Sequence, residues 1–106
     1  MEQEKAEGQE LIERLRVERP DVAIVVSRTI DMNFQWDGDG PDPAEDGLEP
    51  YDVEVAAITI RRGVVYEGTD HLGGSYFAHD EPIGEVHGYL KQMVLEALEE
   101  LAVVLP

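Results

Sequence analysis

The chain has 106 residues, 42% of them hydrophobic, and 24 acidic side chains against eight Lys and Arg, a net charge of −16. The apolar share supports one core and excludes wholesale disorder, and the charge favours basic partners over nucleic acid or anionic membrane. Without cysteine there is no disulfide, thiol catalysis or cysteine metal site, and no apolar run nears the roughly 20 residues of a membrane helix. The expectation is a single domain, residues 1–106, in a reducing cytoplasm.

The polar, acidic start MEQEKAEGQE is not a secretory signal. Residues 1–20 read as an N-terminal helix or arm. A charged helix over 2–18 has a short apolar stripe at Leu11, Ile12 and Leu15, is interrupted by Gly8 and is stopped by Pro20. It is either docked or frayed. Between residues 21 and 36, Val22, Ile24, Val26, Ile30, Met32, Phe34 and Trp36 fall on even positions, with only Arg28 breaking the series. This alternation predicts one long strand with a face on the core, bulged or bent near Arg28–Thr29. Residues 37–50, DGDGPDPAEDGLEP, hold three Gly, three Pro and six acids, and read as an acidic loop.

Strand returns over Tyr51–Arg61, where Tyr51, Val53 and Val55 alternate with Asp52 and Glu54. The apolar parity then changes to Ala56, Ile58 and Ile60, which predicts two-sided burial or a bulge. Arg62–Gly63 suits a tight turn into a third strand, Val64–Leu72, closed by Gly73-Gly74. The strongest helix signal runs from Ile83 to Leu105, with Val86, Leu90, Met93, Val94, Ala97, Leu98, Leu101 and Leu105 at three- and four-residue spacing. Asp80 or Glu81 before Pro82 is its start signal, and Glu99 and Glu100 sit near its unfavourable negative end. The expected fold is α+β in the order αβββα. A three-stranded antiparallel sheet carries the long C-terminal helix on one face, with a shorter N-terminal helix. Double-stranded-RNA-binding domains have the same element order, but this chain lacks their basic surface, so that likeness is topology alone.

No catalytic signature stands out. Asp37 and Asp39 have the spacing of the first two ligands of a calcium loop, but Pro41 and Asp42 stand where a ligand and a Gly are needed. His71, His79 and His87, eight residues apart, match neither a helix face nor zinc spacing. Ser75 lacks a nucleophile elbow, and Gly73-Gly74 lacks the Lys of a phosphate cradle. The expectation is a protein that is not an enzyme, with no cofactor and no metal site. The candidate partner-binding set is Trp36 with Asp37, Asp39, Asp42, Glu45, Asp46, Glu49, Asp52 and Glu54, eight acids uninterrupted by any base. For Trp36 two positions compete: the alternation places it in the core, whereas the enrichment of Trp at interfaces suits an exposed contact.

At WDGDGPDP (36–43), LGGSYF (72–77) and GYLKQM (88–93), about a fifth of the chain, the sequence resembles small acidic proteins carried by phages and prophages. DNA-mimicking inhibitors of restriction or CRISPR machinery recur among such proteins, and the resemblance transfers no site residues. It implies a non-enzymatic inhibitor that covers a basic nucleic-acid-binding surface in the host cytoplasm. Sixteen charges match roughly 27 Å of duplex at one per 1.7 Å. A compact domain of this length is about 30–35 Å across, so duplex-like charge is expected if the acids share one side. Alternatives are an antitoxin or immunity-type binder of a basic toxin and a phage structural protein. Were charge only a solubility device, Trp36, Tyr51, Tyr76 and Phe77 would be the contact residues. Neither direct nucleic-acid binding nor a membrane is expected, and both a monomer and a homodimer are compatible with the sequence.

Overall fold

A computed structural model describes residues 7–106, and residues 2–6 of the predicted first helix lie outside them. The elements are α1 (Glu7–Glu18), β1 (Val22–Ile30), a 3-10 turn (Pro43–Asp46), β2 (Leu48–Arg61), β3 (Val64–Ala78) and α2 (Leu90–Val104). The strands form one antiparallel sheet in the order β1–β2–β3. This is the α+β, αβββα fold that the alternation and helical spacing predict.

The two helices cover one sheet face. Along β2, Tyr51, Val53, Val55 and Ala57 meet Val22 of β1, Phe77 of β3 and the apolar stripes of both helices. Helix α1 is docked, with Leu11, Ile12 and Leu15 buried. Its first-turn N–H groups, orphaned in any helix, are met from the far end of the chain: the Glu85 carboxylate accepts from Gly8 (2.9 Å) and Gln9 (3.1 Å). Helix α2 lies directly on β3 at Gly68, where a Cβ would collide with the backbone of Ala97 and Leu101. The other sheet face has no helix on it, and Val25, Ile60 and Val65 are exposed there.

Several expectations are corrected. Strand β1 ends at Ile30: the Asp31 N–H still donates to the Pro50 carbonyl, but Pro50 has no N–H to return, and the Asp31 carbonyl accepts from the Phe34 N–H instead, turning the chain away. Met32, expected on the core face, is 85% exposed. The register of β1 is continuous, with no bulge at Arg28–Thr29. Arg28 keeps to the core-facing side and closes the core's end, its guanidinium 4.4 Å from the Tyr51 ring centroid and 4.9 Å from that of Phe77.

The bulge lies instead in β3. Tyr51 pairs with Ser75 but Val53 with Leu72, so β3 holds an extra residue, accommodated by Gly74 at φ 65°. Gly73-Gly74 therefore continues β3 to Ala78 rather than closing it. The change of parity at Ala56, Ile58 and Ile60 brings no bulge; Ala56 is buried among its neighbours on the helix-free face, and Ile60 is exposed.

Helix α2 starts at Leu90, not Ile83, because Val86, His87 and Gly88 all have positive φ. That left-handed turn buries Val86 and aims Glu85 at α1. Leu98 is only half-buried, and Ala97 and Leu101 take the innermost positions. Finally, the molecule measures 50 × 32 × 22 Å, longer than the sphere expected from its length. The 14-residue β2, about 46 Å at roughly 3.3 Å per residue, sets the long axis.

Candidate functional site: an acidic end built on an aromatic cluster

The chain from Asp31 to Gly47 folds back onto the helix-free face, at the end opposite the β2–β3 hairpin. Tyr76, on that face opposite Pro50, is the platform. Phe34 meets it edge-on at 5.8 Å between centroids and Trp36 at 6.0 Å. Phe34 packs against Gly74, where a Cβ would meet its ring at 2.6 Å, so the bulge glycine makes room for the loop's anchor. The Trp36 indole N–H donates to the Gly40 carbonyl at 3.4 Å. Trp36 is 37% exposed and outside the core, which corrects the position inferred from its alternation.

The acids around this cluster divide by role. Asp42 accepts from the Ala44 N–H at 2.9 Å and caps the 3-10 turn. Glu49 accepts from the Tyr51 hydroxyl at 3.2 Å. Burial first, then that bond, raises the Tyr51 pKa. Asp37, Asp39, Glu45 and Asp46 are exposed. Asp52 and Glu54 flank His71 across the β2–β3 ladder, at 2.9 Å from Nδ1 and 3.2 Å from Nε2. Only a doubly protonated ring donates to both. The hydrogen bond to Asp52, with smaller contributions from the Asp52, Glu54 and Asp70 charges, outweighs desolvation and raises the His71 pKa.

The fold thus brings Trp36 and the eight predicted acids to the loop half of the molecule. It does not put every acid on one side. Glu96, Glu99 and Glu100 are exposed on α2, across the sheet from Asp52 and Glu54. A duplex as long as the 50 Å axis carries roughly 29 charges at one per 1.7 Å, against a net 16 here. Duplex-like density is therefore at most local, at the acidic end. Of the apolar contact candidates, Tyr51 and Phe77 are buried, which leaves Trp36 and Tyr76 at the surface.

Sequence reasoning did not find Phe34 as a loop anchor or His71 as the partner of two acids. The strand pattern carried Phe34 into the core face. His71 lies on the hairpin side of the bulge, so a count from the Arg62–Gly63 turn already sets it opposite Glu54, and that count was the signal that could have found the pair. Among the described residues, no group of three or more His, Asp or Glu side chains is arranged to hold a metal ion, and no helix is long and apolar enough to cross a membrane. The chain matches no protein-family model, and no curated protein or solved structure is significantly similar to it.

Proposed function

We propose that this chain is a non-enzymatic inhibitor that docks its acidic end on a basic, nucleic-acid-binding surface of a partner protein in the cytoplasm. An anti-CRISPR or anti-restriction protein encoded by a phage or prophage is the specific form of this reading. The observation that carries it is the run from Asp37 to Glu54, eight acids and no base, held on the Phe34–Tyr76–Trp36 cluster. Half-exposed aromatics ringed by carboxylates suit Arg and Lys, which take both a charge partner and an aromatic face. Rim charges mainly set the association rate and its salt dependence, and a central aromatic supplies the anchor.

Capture from a bacterial lysate with a salt-graded elution tests this reading. The chain should retain a nucleic-acid-binding protein that duplex DNA displaces. Asp37→Asn, Asp39→Asn, Asp42→Asn, Glu45→Gln, Asp46→Asn and Glu49→Gln together keep the capping and accepting oxygens while removing six charges. The substituted protein should associate more slowly and lose most salt sensitivity. Equal retention by this variant, or no displacement by DNA, overturns the reading.

A further inference from the structure

Two acids of the run from Asp37 to Glu54 differ from the rest. Among the described residues, Asp52 and Glu54 alone in this run have a base of the chain within ion-pair distance, and that base is a histidine, whose charge pH can remove. Residues i and i+2 of a strand share a face roughly 6–7 Å apart. His71 on β3 spans the two, with Nδ1 2.9 Å from Asp52 and Nε2 3.2 Å from Glu54.

The pair adjoins the aromatic cluster, because Tyr76 stands opposite Pro50, the neighbour of Asp52 on the same sheet face. The three strands put no Lys or Arg on that face. Opposite Asp52 and Glu54, β1 contributes the uncharged Thr29 and Ser27. On β3, Glu67 lies two face positions from His71, and Asp70 adjoins it with its side chain on the other face. From the loop, Asp31 reaches the same place: its carboxylate and that of Asp52 lie 3.7 and 3.9 Å from where a Gly73 Cβ would stand. Protonated His71 is therefore the one cation on this face of the strands. The three side chains are 38–50% exposed, so the pair is open to a cation from outside.

We propose that His71 gates the Asp52–Glu54 pair: its protonated ring holds the two carboxylates, and an arginine or lysine of the basic partner takes the ring's place as the proton leaves. This rests on the inhibitor reading and adds regulation to it. Both cations use the same two carboxylates, so they compete. Competition is reciprocal: the proton weakens the partner's binding by the factor by which the partner weakens the proton's. The bond to Asp52, with the charges of Asp52, Glu54 and Asp70, outweighs desolvation and raises the His71 pKa above 6.5, so the exchange falls across neutral pH rather than in acid. Affinity for a basic surface rises with pH there, although the gate changes the net charge of −16 by a single charge.

Calorimetric titration of the full chain with nona-arginine amide tests this, in about 0.05 M sodium chloride so that exposed charges still attract. The original chain should bind at least about threefold more tightly near pH 8 than near pH 6. Near pH 7 the heat should vary with the ionisation enthalpy of the buffer, as a released proton requires. His71→Gln should bind near pH 6 about as tightly as the original does near pH 8, with little proton release. His71→Lys, whose charge stays, should bind weakly at both. His79→Lys adds the same charge at an exposed position outside the pair and should keep the pH dependence of the original. Far-UV circular dichroism should be unchanged in all three. A His71→Gln chain that keeps the pH dependence, a His71→Lys chain that binds as the original does near pH 8, or a His79→Lys chain that loses the dependence overturns the gate and leaves the inhibitor reading standing. An original chain that does not bind the peptide, or a variant with six acids neutralised that binds it undiminished, overturns the inhibitor reading and the gate with it.

Discussion

His71 couples its protonation to the fold through Asp52 and Glu54, and the direction of that coupling is fixed. Its folded pKa is raised, chiefly by the bond to Asp52, above an unfolded value near 6.5. The stability it contributes is complete below the unfolded pKa and is lost as pH rises through the folded one. In strong acid the contribution fades again, because the two carboxylates protonate. The side chains are 38–50% exposed, so solvent screens the pair and the effect is modest. The melting temperature of the chain should exceed that of His71→Gln most near pH 5–6, and the gap should close by about pH 9. A gap that widened with pH would mean that the neutral ring is the form the fold favours. The residue itself was visible in the sequence as one of three evenly spaced histidines. Its partners follow from counting back from the Arg62–Gly63 turn, which sets Glu54 opposite His71 with Asp52 two residues along the same face; the bulge comes only after Leu72.

At the scale of elements, the contact that defines the architecture is α2 on β3, and a residue with no side chain makes it. Gly68 lets the helix backbone at Ala97 and Leu101 rest against the strand. Gly68→Ala would push the helix off the sheet or bend the strand, and the neighbouring atoms are backbone, which cannot swing aside. Overpacking of this kind costs about 1–3 kcal/mol or more, beyond the few tenths that Ala returns by restricting the unfolded chain. Urea unfolding should register that loss in the midpoint. A midpoint unchanged or raised would mean that the helix stands further from β3. Elements whose signal is periodic were legible: the Tyr51–Arg61 strand, the hairpin at Arg62–Gly63 and the helix stripe from Leu90. Elements set by a long-range partner were not. The segment 83–89 has helical spacing, but it turns left-handed to bury Val86 and carry Glu85 to α1, a contact 77 residues away in sequence. Likewise β1 stops where it meets Pro50, which has no N–H to complete the next rung.

For the whole molecule, the size of the charge was legible and its arrangement was not, since arrangement depends on where the loop folds. Between Asp37 and Glu54 there are eight acids without a base. Asp42 and Glu49 are held by uncharged donors, and Asp52 and Glu54 share one histidine. Among the described residues, Lys or Arg ion pairs join only Arg19 to Asp21 and Lys91 to Glu7. Salt therefore has few attractive pairs to weaken and much repulsion to relieve. Raising sodium chloride from about 0.01 to 0.5 M shortens the screening length from roughly 30 Å to a few Å. The unfolded chain holds its charges further apart and gains less from this. The melting temperature should rise by a few degrees, since about 1 kcal/mol shifts a domain of this size by roughly 4–8 °C. The variant with six acids neutralised should start higher at low salt and rise less, because the repulsion relieved by salt has already been removed. Equal slopes for the two proteins would place the repulsion elsewhere, on the α2 acids Glu96, Glu99 and Glu100. A flat or falling curve for the original chain would mean that its acids are already too far apart to matter.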